Sequence, residues 1–237
     1  MNDIKNNGPK KNALFAGIAY LFTAITGFYA LMYVLPQIKV EGDIIQTITN
    51  MNSNPFMFRI GIVSMLCMNI ITILLVIYLY RLLSKINKTS ALSMLVLMLF
   101  GAGISILNEG NHFAMLFINN IDSFSLEESQ NLTILFSEIY NHGAHIAVIF
   151  WGLWLFPLGI LIYKLNTRIS KFLGIMLFIA GAGYILDSLF LFIYPHLNIA
   201  TLSDYTSYGE ILLMIWLLVK SKTIEGLTEK KYKILTI

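Results

Sequence analysis

The chain has 237 residues, of which 57% are hydrophobic and 12% are charged, and its mean hydropathy is +0.73. Soluble domains carry roughly 25% charged residues, so this composition excludes an ordinary soluble domain and indicates a membrane protein. Cys67 is the only cysteine, which excludes internal disulfides and cysteine-based zinc sites. The net charge of +3 looks like a hint of nucleic-acid binding until the basic residues are placed along the chain.

Six apolar runs are predicted to cross the bilayer, whose core of roughly 30 Å needs about 20 helical residues. Backbone groups in lipid must bond to one another, and apolar runs of this kind do so as helices. We therefore predict an all-α, six-helix transmembrane bundle over residues 13–220, with tails at 1–12 and 221–237. The runs are Ala13–Leu35, Phe58–Leu82, Ala91–Ile118, Leu132–Tyr163, Phe172–Tyr194 and Ser207–Val219.

The basic residues are distributed very unevenly between the two sides of this predicted bundle. Of the 16 Lys and Arg residues, all but Lys39 and Arg59 fall in the two tails or in the loops after helices two and four. Positive charge collects on the cytoplasmic side of membrane proteins, so we predict that both termini are cytoplasmic. The basic charge therefore reflects topology. No basic stripe with interleaved aromatic residues is present, and we predict no nucleic-acid partner.

The first outer loop, residues 37–55, contains a pattern typical of a short amphipathic helix. Its apolar residues Ile44, Ile45, Ile48 and Met51 recur at helical spacing. One interpretation is a helix that lies on the membrane and covers the bundle like a lid. The other is an ordinary packed loop.

Two local signals bear on the fourth predicted helix. Ser125 and Glu128 have the spacing of a capping box, which predicts that the helix begins well before its apolar run. Pro157 has no backbone N–H, so it is expected to interrupt and bend the same helix.

Three small or polar residues inside the second and third helices are predicted to serve packing. Asn69 lies near mid-depth, where a single buried amide most often bonds a neighbouring helix. Gly101 and Gly103 are expected to let neighbouring helices approach closely.

Ionisable residues at membrane depth are costly and are expected to face the bundle interior, a partner or water. We predict that several such residues converge in one polar cavity that opens to the outside, with the carboxylates of helices five and six as its floor. A structural hydrogen-bond network that includes Tyr184 and Tyr208, and a proton- or cation-binding site, are alternatives. The predicted ligand-binding residues are Asn108, Glu109, His112, His145, Asp187 and Glu210.

A metal site is a second interpretation of some of the same residues. Glu109-x-x-His112 and His142-x-x-His145 each align two potential ligands on one helical face. Together with Asp187, the three histidines could hold zinc or another divalent metal and leave a position for water. The alternative is that these histidines are solvated or capping residues at the membrane surface.

Four segments resemble a known family: LYRLLSKINK at 79–88, FWGLWLFPLGILIYK at 150–164, FLGIMLFIAGAGYILDSL at 172–189 and GEILLMIWLLVKS at 209–221. They are similar to the bacterial integral-membrane family called domain of unknown function 4386. The resemblance implies a six-helix protein of the bacterial plasma membrane, and it supplies no activity, substrate or cofactor.

The resemblance also ranks the candidate residues. Asn108, Asp187 and Glu210 lie inside stretches that match the family pattern, whereas His142 and His145 do not. This difference favours the deeper carboxylates over the metal site.

Three functional hypotheses from different classes follow from these observations. The first is a membrane protein that binds or passes a small solute, an ion or a lipid-like ligand in an outward-facing polar pocket. The second is a metal-dependent hydrolase that acts at the outer leaflet, with Glu109 or Asp187 as general base. The third is a non-catalytic partner or sensor subunit. The sequence leaves open whether the protein is an enzyme.

Overall fold

A computed structural model describes residues 8–40, 42–118, 123–194, 201–221 and 224, with side chains from residue 11 onward. Every regular element in these ranges is helical. His196 and most of the two predicted tails lie outside the described residues.

The helices follow one another with short connections. A π-helical turn, Tyr29–Val34, lies between the first two α-helices, and Pro36 follows it in the first turn of α2. The α-helices are α1 Gly8–Phe28, α2 Leu35–Ile38, α3 Ile44–Ser53, α4 Pro55–Leu83, α5 Lys88–Ile118, α6 Leu126–Leu153, α7 Leu155–Tyr163, α8 Arg168–Ile193, α9 Ser203–Thr206 and α10 Tyr208–Val219.

Within the described ranges, five helical stretches are long and apolar enough to cross a membrane, which confirms the all-α class and fits a multi-pass membrane protein. The sixth predicted crossing is α10, which has 12 residues and is about 18 Å long at the usual helical rise. Six crossings therefore stay a prediction. The five stretches are Lys11–Ile38, Pro55–Leu83, Lys88–Ile118, Leu126–Tyr163 and Arg168–Ile193.

Both local signals in the fourth predicted span are confirmed. The Ser125 hydroxyl and backbone N–H donate to the Glu128 carboxylate at 2.8 Å, and the Glu128 N–H donates back to Ser125 Oγ at 3.2 Å. The helix therefore begins at Leu126, six residues before its apolar run. It is interrupted after Leu153, the residue whose carbonyl would accept a bond from the missing N–H of Pro157.

The chain divides into two compact units, and the division falls within the length of α1, α4, α5 and α6. The first unit contains Met1–Leu21, Thr72–Gly101 and Ala147–Ile237. The second contains Phe22–Ile71 and Ala102–Ile146.

Glycines bring α8 of the first unit into backbone contact with the segment from α6 to α7. A Cβ atom on Gly152 would lie 2.7 Å from the carbonyl oxygen of Gly181, and one on Gly181 would lie equally close to the carbonyl of Gly152. Gly159 and Gly174 form a second such pair, at 3.0 and 2.8 Å. The two pairs are seven residues apart along both helical segments, so they recur on one helical face. Any larger residue would force the backbones apart.

The packing predictions for α4 and α5 are confirmed at two positions and wrong at one. Asn69 is buried, and its amide donates to Ser105 Oγ on α5 at 3.0 Å. A Cβ on Gly101 would lie 2.6 Å from the ring of Trp151, so Gly101 is a close-packing position. A Cβ on Gly103 would meet no heavy atom within 4 Å. Gly103 faces open space because it lies two residues, and thus about 200° of helical rotation, from Gly101.

The predicted amphipathic helix in the second unit is confirmed as α3. Asp43 caps it by accepting a bond from the Gln46 N–H at 2.9 Å. Its apolar side is buried at Ile48 and Met51, which are 7% and 1% exposed. The Asn50 amide donates to the carbonyl of Ile38 at 3.2 Å, which ties α3 to the end of α2.

Candidate functional site

The second unit contains a buried carboxylate–imidazole pair on α5. Glu109 and His112 are one helical turn apart, and Nδ1 of His112 lies 2.9 Å from Oε2 of Glu109. The whole residues are only 1% and 6% exposed. Burial of a charge is costly unless it is paired and hydrogen-bonded, and this pair meets that condition.

Aromatic side chains from two other helices enclose the pair. The Tyr140 hydroxyl of α6 donates to Oε1 of Glu109 at 3.2 Å, and its ring lies over the imidazole with a centroid separation of 3.6 Å. The Phe58 ring of α4 contacts His112 edge-on, with centroids 5.1 Å apart. These contacts fix the plane of the imidazole.

Asn108, the neighbouring predicted site residue, holds α5 against α6. Its amide donates to the backbone carbonyl of Tyr140 at 2.8 Å, and its oxygen accepts a bond from Asn111 at 3.0 Å. A Cβ atom on Gly143 would collide with the Asn108 side chain, so the glycine provides the space that this bond requires. Asn108 therefore positions the backbone that carries Tyr140.

His112 and Tyr140 border two neighbouring cavities of the second unit. The first has a volume of about 20 Å³ and the second about 40 Å³. The remaining walls of the first cavity are apolar, and they include residues of the π-helical turn and of α4. These walls are Ala30, Leu31, Val34, Leu35, Phe58, Gly61, Ile62 and Met65.

The second cavity lies under α3 and adjoins a polar cleft. Ile44, Thr47 and Met51 of α3 line the cavity, and Ile44 and Thr47 also line the cleft, which has a volume of about 440 Å³. Lys39 borders both and donates to the side chain of Asn141 at 3.3 Å. Among the residues that the structure describes, Asp43 and Glu138 are the other charged residues that line the cleft.

The first unit contains a different network, around Glu210 at the start of α10. Its carboxylate accepts one hydrogen bond on each oxygen, from Tyr20 of α1 at 2.5 Å and from Tyr184 of α8 at 2.9 Å. A hydrogen-bond network that includes Tyr184 was expected from the sequence, whereas Tyr208, the other tyrosine expected in it, is exposed. Glu210 thereby joins three helices.

Asp187 serves as a tertiary helix cap in the first unit. Its two carboxylate oxygens accept bonds from the backbone N–H groups of Leu202 at 2.8 Å and Ser203 at 2.7 Å. These are donors at the start of α9, whose own N-cap residue supplies no side-chain bond. The carboxylate thus satisfies helix-terminal N–H groups that would otherwise lack partners.

The sequence of the chain matches the profile of the domain of unknown function (DUF4386) from residue 15 to residue 221. This match covers most of the chain. The protein belongs to this family. The resemblance noted in the sequence is therefore confirmed.

This DUF4386 protein is also 39% identical over 79 residues to an uncharacterized protein of Archaeoglobus fulgidus. That match covers 33% of the present chain and 46% of the relative, so the chain spans about half the length of the relative it matches. No solved structure matches the chain.

The six predicted ligand-binding residues of the DUF4386 protein are distributed over both units. Asn108, Glu109 and His112 come together with Tyr140 in the second unit, where partly buried His145 also lies on α6. Asp187 and Glu210 belong to the first unit and have separate sets of hydrogen-bond donors.

The metal hypothesis gains no support from the part of the chain that the structure describes. These ranges contain no group of three or more His, Cys, Asp or Glu side chains that could hold a metal ion. His142 is exposed, and its Nδ1 lies 2.8 Å from the backbone carbonyl of Glu138.

Tyr140 and Phe58 are the site residues that the sequence did not reveal. Glu138, His142 and His145 share one face of α6 by their spacing, and Tyr140 lies between them in the sequence but on another face. Its hydroxyl was the available signal, because a tyrosine at membrane depth needs a hydrogen-bond partner. Phe58 carries no signal that distinguishes it from the many other apolar residues.

Proposed function

We propose that this integral membrane protein binds a small lipophilic molecule in the two cavities of the second unit, with His112 as the main polar contact. One observation carries the proposal: a buried imidazole, fixed by Glu109 and Tyr140, lies on the wall of two neighbouring cavities whose other walls are mostly apolar. Ligand pockets typically combine apolar walls with a few fixed polar groups.

The apolar surroundings of the cavities support a lipophilic ligand over a hydrated ion. The cavities are narrow, at about 20 and 40 Å³, so in this proposal the ligand displaces some of the side chains that line them. Leu31 lines the first cavity and is also 39% exposed on the molecular surface. In a bilayer, that side of the cavity would open toward lipid.

The polar cleft supports a ligand with one polar end. Lys39, Asp43 and Glu138 border the cleft, and Lys39 also borders the second cavity. An amphipathic molecule would place its apolar part beneath α3 and its polar end among these charged residues. In this proposal α3 is the lid.

Photolabelling with a long-chain alkane that carries a diazirine tests this proposal on purified full-length protein. Met51 and Met115 line the second cavity but are only 1% and 5% exposed, so they should be labelled only by a probe inside it. Ser137→Trp places a large ring in the cavity wall and should abolish this labelling. Ser93→Trp, at an exposed serine of α5, is the matched control and should leave it unchanged.

Two outcomes would refute the proposal. If the Met51 and Met115 peptides of the wild-type protein carry no label, no lipophile enters the cavity. Equal labelling of both tryptophan variants would mean that the probe reaches these methionines by another route.

We further propose that α10 is the inner part of a sixth crossing and that both termini are cytoplasmic in the plasma membrane. The arrangement of basic residues supports this orientation, since Arg81 and Lys88 flank one loop and Lys164 and Arg168 flank another. An even number of crossings then returns the chain to its starting side.

A further inference from the structure

The protonation of His112 determines which ligand chemistry the cavity can recognise. Nδ1 is bonded to Glu109, so Nε2 is the ring nitrogen that is left for a ligand. A neutral imidazole carries one proton, and the bond at one nitrogen decides whether the other donates or accepts.

Two charge-neutral states of the buried pair are possible, and both place a proton on Nε2. If Glu109 is ionised and His112 is protonated, both ring nitrogens carry protons. If Glu109 is protonated, it donates to Nδ1, and the neutral ring carries its proton on Nε2. Only the state with a net negative charge would make Nε2 an acceptor, and an unbalanced charge is costly at 1% exposure of Glu109.

We propose that the ligand presents a neutral carbonyl oxygen to the Nε2–H group of His112, an inference that rests on the proposed function above. His112 lines a cavity whose other walls include Val34, Ile62 and Met65, so a ligand group that accepts a bond from it must itself cost little free energy to bury. A ketone or ester oxygen meets this requirement. A free carboxylate does not, because it would add a net charge to a pair that is already balanced.

The aromatic neighbours make the direction of this donor specific. Tyr140 covers one face of the imidazole with ring centroids 3.6 Å apart, and Phe58 contacts the ring at 5.1 Å. The ring cannot rotate without losing both contacts and the bond to Glu109. Nε2–H is therefore a pre-oriented donor, which lowers the entropy cost of binding an oxygen in one position.

Infrared difference spectroscopy tests the inference on full-length protein in detergent. The probe is a long-chain methyl ketone that is isotopically labelled at its carbonyl carbon, and the corresponding alkane is the reference for apolar binding. A hydrogen bond to Nε2–H should shift the labelled carbonyl band to a lower frequency than in empty micelles. The ketone should also bind with at least a tenfold lower Kd than the alkane.

Removal of the imidazole should abolish the shift. Since His112→Phe alone would leave the Glu109 carboxyl buried without this partner, the test variant combines it with Glu109→Gln, whose amide stays neutral. Glu109→Gln alone keeps the ring and is the folded reference. His142→Phe, at the exposed histidine of α6, should keep the shift.

The outcomes separate this inference from the proposed function. If the ketone and the alkane bind equally and the carbonyl band is unshifted, the inference about the Nε2–H group is wrong. The proposal of a lipophilic ligand in the cavities is then unaffected. Tighter binding of the long-chain carboxylate than of the ketone would also overturn it. If none of the three probes binds, the proposed function itself fails.

Discussion

Nδ1 of His112 lies 2.9 Å from a carboxylate oxygen of Glu109, and the two side chains are 8% and 1% exposed. The same chain contains an exposed counterpart on α6, where Nδ1 of His142 lies 4.0 Å from the carboxylate of Glu138 and the side chains are 55% and 62% exposed. The two pairs have the same chemistry in different environments. They therefore provide a comparison within one protein.

His112→Ala should destabilise the protein by about 3 kcal/mol, because it leaves Glu109 buried without its main partner. His142→Ala should change stability by about 0–1 kcal/mol, since exposed pairs are screened by water. Denaturant unfolding in mixed micelles measures both values. Similar losses for the two variants would show that burial does not increase the contribution of the Glu109–His112 pair to stability.

The Glu210 network makes a prediction that depends on coupling between residues. Tyr184→Phe removes one of the two donors to a carboxylate and should cost about 1–2 kcal/mol in the wild-type background. In a Glu210→Leu background the same change should cost nothing or stabilise the protein, because the Tyr184 hydroxyl no longer has the Glu210 carboxylate as its acceptor. A double-mutant cycle measures the difference. Equal costs in both backgrounds would contradict a direct interaction.

The sequence predicted well where along a helix a residue lies, and poorly which side of the helix the residue occupies. Apolar runs, the Ser125 capping box and Pro157 each act locally, so the helix class, the start of α6 and its interruption followed from neighbouring residues alone. Convergence of Glu109, His112, Asp187 and Glu210 in one cavity was inferred from their depths. Depth is only the axial coordinate, and it does not reveal which side of a helix a residue occupies.

The hydrogen-bond partners of the carboxylates were largely invisible for the same reason. Tyr140 and Tyr20 lie 31 and 190 residues from the glutamates they contact. Asp187 accepts its bonds from backbone N–H groups, and the sequence does not single these out because every residue except proline has one. Tyr184 was anticipated because it lies one helical turn from Asp187, although its bond goes to Glu210.

Asp187→Ala should expose the start of α9 without unfolding the rest of the protein. The substitution removes both acceptors for the N–H groups of Leu202 and Ser203, which is equivalent to loss of an N-cap at about 0.5–2 kcal/mol. Hydrogen exchange should become faster at these two amides. Asp204→Ala, an exposed carboxylate within α9, is the control and should have little effect on them. Unchanged exchange in Asp187→Ala would exclude the capping role.

Two glycines in different surroundings, Gly152 and Gly103, predict opposite effects of the same substitution. Gly152→Ala places a methyl group 2.7 Å from the carbonyl of Gly181, and a backbone atom cannot move aside cheaply, so Tm should fall by several degrees. Gly103→Ala meets no heavy atom within 4 Å and should stabilise α5 by up to about 1 kcal/mol, because alanine favours the helix. A fall in Tm at both positions would contradict the close contact specific to Gly152.

The proposed orientation can be tested by labelling single cysteines in intact cells. Cys67 is exposed in the structure and is first replaced by Ser. Lys39→Cys and Lys88→Cys then place a thiol at exposed positions on opposite predicted sides of the membrane. A membrane-impermeant maleimide should label position 39 in intact cells and position 88 only after lysis, because the basic loops are expected to be cytoplasmic. The reverse pattern would mean that the chain is inserted the other way round, and labelling of both positions in intact cells would contradict a crossing through α4.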